Sequence, residues 1–224
     1  MNKVDLKNVN LFDFSHTAAS ELFENTEFPW DILPKIHDFI IEKGKTLSKD
    51  EYIKVDDNVW ISKEANIAPT AFIAGPAIIE SKAEIRHCAY IRGNAIVGKG
   101  AVVGNSTEIK NVILFDEVQV PHYNYVGDSI LGHKAHMGAG AITSNVKADK
   151  SLVIIKAEDC DIASNIKKVG AILGDEVEIG CGSVLNPGTI IGKNANVYPL
   201  SSVRGTVNKD SIYKKQGEIV KKII

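Results

Sequence analysis

From Ile61 to Ile109 an aliphatic residue returns at every sixth position: Ile61, Ile67, Ile73, Ile79, Ile85, Ile91, Val97, Val103 and Ile109. A small residue keeps the same beat four positions on, at Ala65, Ala71, Ala77, Ala83, Ala89, Ala95, Ala101 and Thr107. An α-helix repeats at about 3.6 residues and a strand at two, so neither alone makes this rhythm. A chain that lays one short strand per hexad, and turns between hexads, does make it. Each aliphatic then points inward, with a small residue at the next inward place. The expected fold is an all-β solenoid, a hexapeptide-repeat parallel β-helix in which each coil stacks on the last.

The rhythm spans residues 51–205 with two breaks. After Phe115 the next clean beats are Leu131, Met137 and Thr143, out of phase with those before. The stretch between, Glu117 to Ile130, is expected to bulge outward as a loop, and loops on a rigid scaffold tend to carry function. The second break follows Thr143 and runs to Lys168; the beat resumes at Leu173, Ile179, Leu185, Ile191, Val197 and Val203. Residues 1–50 lack the hexad. Ile32, Leu33, Ile36, Phe39 and Ile40 share a helical face, with Asp31 as N-cap and Gly44 as stop. This helix is expected to cap the open first coil. The aromatics before it, Phe12, Phe14, Phe23, Phe28 and Trp30, read first as packing, with contacts to a neighbouring subunit or a substrate as alternatives. The tail, residues 206–224, reads as a terminal helix capped by Asp210, closing the other end.

Composition changes this picture little. The chain has 224 residues, a net charge of -2 and 44% hydrophobic residues, values that favour no nucleic-acid partner. Aromatic content of 7% suits a narrow prism. Three scattered cysteines argue against a disulfide framework and for a reducing compartment. The polar start is no secretory signal and no apolar run approaches a membrane span, so a cytoplasmic location is expected.

If three hexads close a coil, a number the rhythm itself leaves open, Arg92 and Lys110 stand on adjacent coils of one face. Each directly follows an inward aliphatic. Two like charges stacked this closely repel, and a bound anion such as a phosphate would reverse the sign; the alternative is that both splay into water. His122, in the out-of-phase stretch, is the candidate for proton transfer, since an imidazole titrates near neutrality. His122, His133 and His136 raise a zinc reading. His133 and His136 lie three apart on one hexad, and no carboxylate or cysteine spacing completes a closed site, so no metal is expected.

The stretch His122-Tyr-Asn-Tyr-Val-Gly-Asp, followed by Gly138-Ala-Gly-Ala-Ile-Thr-Ser-Asn145, resembles the acetyltransferase half of the bifunctional UDP-N-acetylglucosamine pyrophosphorylase/glucosamine-1-phosphate N-acetyltransferases. The resemblance covers roughly residues 55–205. It implies a left-handed parallel β-helix of three hexads per coil, a homotrimer, and acetyl-CoA as donor to an amino-sugar phosphate in nucleotide-sugar biosynthesis. It implies that Arg92 and Lys110 bind the sugar phosphate, that His122 is the base, and that Tyr125 and Asn145 contact the sugar. Ala139 would lie at the acetyl group, with Cys181 and Arg204 along the coenzyme A path. His136 stands where many members carry asparagine, and Lys147 or Lys150 would supply a further substrate-binding lysine. These departures bear on the acceptor. They leave a non-catalytic sugar-phosphate or nucleotide-sugar binding subunit, or an O-acetyltransferase, as alternatives. A nucleotidyltransferase loop of the Gly-x-Gly-Thr-Arg kind does not occur in residues 1–50, so uridylyl transfer is not expected of them.

Overall fold

The computed structural model describes residues 1–215 and 218–221. Each hexad lays one short strand, which pairs in parallel with the strand one coil away, giving the expected parallel β-helix of stacked hexads. Three inward ladders result, one per wall. Wall A stacks Ile61, Ile79, Val97, Leu114, Leu131, Leu173, Ile191 and Val207. Wall B stacks Ile67, Ile85, Val103, Val120, Met137, Ile179, Val197 and Tyr213. Wall C stacks Ile73, Ile91, Ile109, Val126, Thr143, Leu185 and Val203. Three hexads therefore close a coil.

Every departure from period six falls at one edge, where wall C turns into wall A. The step from A to B, and from B to C, is always six residues. From C to A it is six between Ile91 and Val97, but five from Ile109 to Leu114, five from Val126 to Leu131 and four from Val203 to Val207. The outward loop expected over residues 117–130 is therefore not there. Val120 stays opposite Val103 and Val126 opposite Ile109. Two coils have each lost one residue and the last has lost two, and the strands Glu108–Leu114 and Tyr125–Leu131 run through the first two shortened edges. The second break does leave the solenoid: residues 144–168 depart from and return to this same edge, carrying an antiparallel hairpin of Ile154–Lys156 with Asp161–Ala163.

The outer row of wall A is as apolar as its inner row. Trp60, Ile78, Ile96, Ile113, Ile130, Ile172 and Ile190 lie opposite one another in turn, and all are buried. Their cover is the N-terminal segment, which forms a strap along the prism. Near the late coils, Met1 pairs with Glu158, and the Asp175 N–H donates to the Leu11 carbonyl. Further up, Phe12 and Phe23 pack on Phe115, with ring centroids 5.0 and 5.7 Å away. The helix Ile36–Thr46 completes the strap over the early coils. The aromatics of residues 1–50 are thus mostly packing, as their first reading had it.

Two expectations about the ends need correction. The N-terminal helix starts at Ile36, not at Asp31, which closes a 3-10 turn, and it lies on the flank of wall A rather than over the first coil. The strand Tyr52–Asp56 pairs antiparallel to Val59–Ser62 and covers the edge of the first coil. Gly44 lies inside the helix rather than ending it, at a place where an added Cβ would come within 2.4 Å of the Trp60 ring. Gly44→Ala should therefore destabilise the fold by about 1–3 kcal/mol through overpacking, outweighing the roughly 1 kcal/mol that alanine contributes to an open helix. Chemical denaturation with unchanged m-value checks this.

The tail is no helix where it is described. Ser211–Lys215 adds a last parallel strand to wall B, and Glu218–Lys221 folds back antiparallel on it. The reason is legible in hindsight: Tyr213 falls on the beat six after Val207 and fills the last inward place. Asp210 takes a left-handed turn with φ 53° instead of capping a helix. Residues 216, 217 and 222–224 of the expected helix lie outside the described residues. No described helix is long and apolar enough to cross a membrane.

At the edge from wall A to wall B the strap shelters Glu80, which is only 3% exposed and accepts the Tyr52 hydroxyl at 2.7 Å. Burial pushes its carboxyl above the ordinary glutamate value, against the weaker downward pull of that hydrogen bond. A carboxyl raised in the folded state favours folding while protonated and loses that advantage as pH rises through the folded value. Glu80→Gln, neutral throughout, should raise Tm at neutral pH. The gain should fade as pH falls into the ordinary glutamate range, which a thermal denaturation series in pH measures.

Candidate functional site

Wall C and its two edges gather most of the candidate residues. Its outward positions form two rows along the solenoid axis. One row runs Phe72, Tyr90, Glu108, Tyr125, Ile142, Val184 and Ser202. The other holds Arg92, Lys110, Gly127, Ser144, Asn186 and Arg204, each two places further on. Arg92 and Lys110 thus stand on one wall, one coil apart, as the spacing of eighteen requires.

Their mutual repulsion is answered within the chain. Arg92 Nη1 donates to Glu108 Oε1 at 2.6 Å, and that hydrogen bond holds its guanidinium above the usual arginine value. Lys110 Nζ lies 3.3 Å from both carboxylate oxygens of Asp128. Each cation keeps donors to spare, since a guanidinium has five N–H groups and an ammonium three.

Asp128 is the hub of this end. It sits at the shortened edge with φ 49°, below Asn111 at φ 53°, in the left-handed conformation that Asp and Asn accept more readily than most residues. It is 4% exposed and accepts hydrogen bonds from Asn111 at 3.0 Å and Asn145 at 2.5 Å besides Lys110. Asn111 also donates to the Leu33 carbonyl of the strap. Asn145 reaches Tyr125 Oη at 3.2 Å. Burial, then the Asp128 charge, pushes the Tyr125 phenol up, so it is a neutral hydroxyl able to donate. Gly127 lets this cluster close, because a Cβ there would meet Tyr125 Oη at 2.5 Å.

His122 stands at the opposite edge of wall C, at the end of the strand Gln119–His122, with its side chain exposed. No hydrogen bond or ion pair restrains its ring among the described residues. Its backbone is held firmly. The His122 N–H donates to Asn124 Oδ1 at 3.0 Å, and its carbonyl accepts from the Gly140 N–H at 3.0 Å. Asn124, 3% exposed, in turn donates to the carbonyls of Gly138 and Ala141 at 2.9 and 3.0 Å. It brackets the His122 edge to the Gly-Ala-Gly edge one coil below.

Of the three N–H groups in Gly138-Ala139-Gly140, two are committed. Gly138 donates to the Ile179 carbonyl at 2.7 Å and Gly140 to His122. The Ala139 N–H has no acceptor among the described residues, and Ala139 is exposed. Cys181 follows one coil further along this edge, where the Gly182 N–H donates to the Ala139 carbonyl at 2.9 Å. Arg204 and Lys147 line one groove of about 630 Å³ between the insertion and wall C, together with Lys156 and Asn186. Arg204 Nη2 donates to Asn186 Oδ1 at 3.3 Å.

Two candidates fall elsewhere. His136 projects from wall B, where its Nδ1 lies 2.8 Å from Glu178 Oε2. Lys150 occupies an exposed turn of the insertion at φ 57°, its N–H donating to the Lys147 carbonyl. His133, from the zinc reading, stacks on His16 of the strap, ring centroids 3.7 Å apart. No group of three His, Cys, Asp or Glu side chains is placed to hold a metal among the described residues.

The family model for the GMPPB C-terminal domain matches residues 73–179, which include Arg92, Lys110, His122, Tyr125, Asp128, Ala139 and Asn145. The bifunctional protein GlmU of Methanococcus maripaludis is 35% identical over 115 residues, 51% of this chain and 28% of the relative. The chain resembles the GlmU proteins. A bifunctional sugar-1-phosphate nucleotidylyltransferase/acetyltransferase of Sulfurisphaera tokodaii is 31% identical over 109 residues, 49% of this chain and 27% of the relative. The match to GlmU thus spans little more than a quarter of the curated relatives. Among solved structures, the acetyltransferase domain of PglB from Neisseria gonorrhoeae, in complex with acetyl coenzyme A, aligns with TM-score 0.32 and 16% identity, covering 69% of this chain and 53% of that one.

Sequence reading missed four residues of the site: Glu108, Asn111, Asn124 and Asp128. Asn124 carried a signal, being a larger polar residue on the beat that Ala89, Thr107 and Ala141 keep small.

Proposed function

We propose that this protein is an acetyltransferase that moves the acetyl group of acetyl-CoA to the amine of an amino-sugar phosphate. The observation that carries the reading is the convergence of Arg92, Lys110, Tyr125 and Asn145 on wall C, with an unrestrained His122 at its other edge. The spare donors of Arg92 and Lys110 take the phosphate, which fixes the sugar and aims its amine toward His122. Tyr125 and Asn145 meet sugar hydroxyls. The neutral amine attacks the thioester carbonyl carbon, and His122 accepts the proton the nitrogen gives up. The developing oxyanion is met by the Ala139 N–H. The C–S bond then breaks, and the imidazolium returns its proton to the departing thiolate. The pantetheine arm follows the edge past Ala139 and Cys181, and the coenzyme A phosphates reach the cations of the Arg204 and Lys147 groove. A homotrimer in the cytoplasm suits this reading.

The test is steady-state acetylation of glucosamine-1-phosphate, with the product tested for stability to base, since an amide survives where an ester does not. A thermal shift with acetyl-CoA runs beside it. A chain stabilised by the donor that forms an amide product is the expected result. Binding of sugar phosphates with neither stabilisation by acetyl-CoA nor turnover would identify a non-catalytic binding subunit instead.

A further inference from the structure

The row of Tyr125 and Glu108 continues past Arg92 with two aromatic residues the reaction leaves unused. Phe72 and Tyr90 are opposite each other on the first coils of wall C, ring centroids 5.7 Å apart at 64°. They are 62% and 42% exposed, among the most open large apolar side chains of the solenoid. The Arg92 guanidinium lies 5.9 Å from the Tyr90 centroid, so the aromatic pair and the phosphate-binding cation are contiguous. Nothing in the hexad demands aromatics here; an outward place on a two-residue strand serves equally with a polar residue.

We propose that Phe72 and Tyr90 form a base-stacking subsite, so that the acceptor is a nucleoside-diphosphate amino sugar rather than a bare sugar 1-phosphate. This rests on the acetyl-transfer reading of the same site and extends it. The order along the axis is the order of such a molecule. The amine lies at the level of Tyr125, near the His122 edge. The phosphates lie at Lys110 and Arg92, one and two coils up. The base then reaches Tyr90 and Phe72. Successive coils are about 4.8 Å apart, so the ledge from Tyr125 to Phe72 covers three such steps. A sugar 1-phosphate fills only the lower part and leaves both rings in water. A stacked base covers them, and the edge-on pairing of the two rings leaves an aromatic face free to receive it. Glu108, opposite both Tyr90 and Tyr125, is held against Arg92 through one guanidinium nitrogen.

The experiment compares UDP-glucosamine with glucosamine-1-phosphate as acceptors, and measures UDP binding by calorimetry without any turnover. Phe72→Ala is the variant of choice, because Phe72 touches Tyr90 but not Arg92. The expected result is that wild type prefers the UDP-linked acceptor. Phe72→Ala should lower kcat/KM for that acceptor, and UDP affinity, by about tenfold or more, while leaving glucosamine-1-phosphate unchanged. If neither acceptor is acetylated, the acetyl-transfer reading fails, and UDP binding that weakens in Phe72→Ala still sustains the subsite. Absence of UDP binding to wild type overturns the subsite. So does a variant that binds UDP as wild type does but changes its mass in solution, for then the rings are a contact between copies of the chain.

Discussion

His122→Ala should lower kcat for acetyl transfer by about 10²- to 10⁴-fold, the usual worth of a positioned general base. The folded protein should be almost untouched. The ring is exposed and makes no hydrogen bond or ion pair, while the backbone at this position is fixed through Asn124 and Gly140. The Michaelis constant for acetyl-CoA and the melting temperature should stay near wild type. Steady-state kinetics paired with a melting curve gives both answers. A variant that keeps full turnover removes His122 from the reaction.

Asp128→Ala should do the reverse, with its largest effect on stability. The carboxylate is buried and receives Lys110, Asn111 and Asn145. Removing it strands a three-quarters-buried ammonium and two amides, at a cost of about 3 kcal/mol. The same change frees the Lys110 and Asn145 side chains, so the Michaelis constant for the sugar phosphate should rise more than kcat falls. Asp128→Asn keeps the size and tolerates φ near +50°, so it should recover much of the stability. Denaturation and kinetics on both variants test this. Equal stability of Asp128→Ala and wild type would show that the cluster is incidental.

Much of the solenoid was legible because its core is one-dimensional. Each beat is a buried side chain, and the ladders of walls A, B and C are those beats read in threes. The number three was legible as well, in a signal easily passed over. At every third beat the aliphatic is doubled: Ile78-Ile79, Ile96-Val97, Ile113-Leu114, Ile130-Leu131, Ile172-Leu173 and Ile190-Ile191. The first of each pair faces out, so the doublets announce a wall that something must cover. Counting them would have placed residues 1–46 on the flank instead of on the first coil. The tail misled for a related reason. Its lysines and Asp210 suggest a helix, yet Tyr213 keeps the beat, and tertiary stacking overrules local preference.

The site was half legible. Arg92 and Lys110 follow from spacing, because stacking converts a fixed interval into adjacency. Their carboxylate partners are less plain: Glu108 sits two places before Lys110, and Asp128, although eighteen residues beyond Lys110, stands one place past its level, which the shortened coil gives to Gly127. The hexad phase reveals a slip and suggests a loop there. The strands absorb it by cutting one residue from a turn, so His122 ends a strand at an edge the slip never touches.

That confinement gives the prism a seam. Along two of its three long borders the chain length per turn is invariant, whereas the third has taken a deletion three times and an excursion of some two dozen residues once. Engineering that lengthens, trims or grafts segments should succeed along the seam and fail on the other borders. Since the seam also carries Asp128 and Asn145, variation there alters what the protein grips without disturbing how it winds.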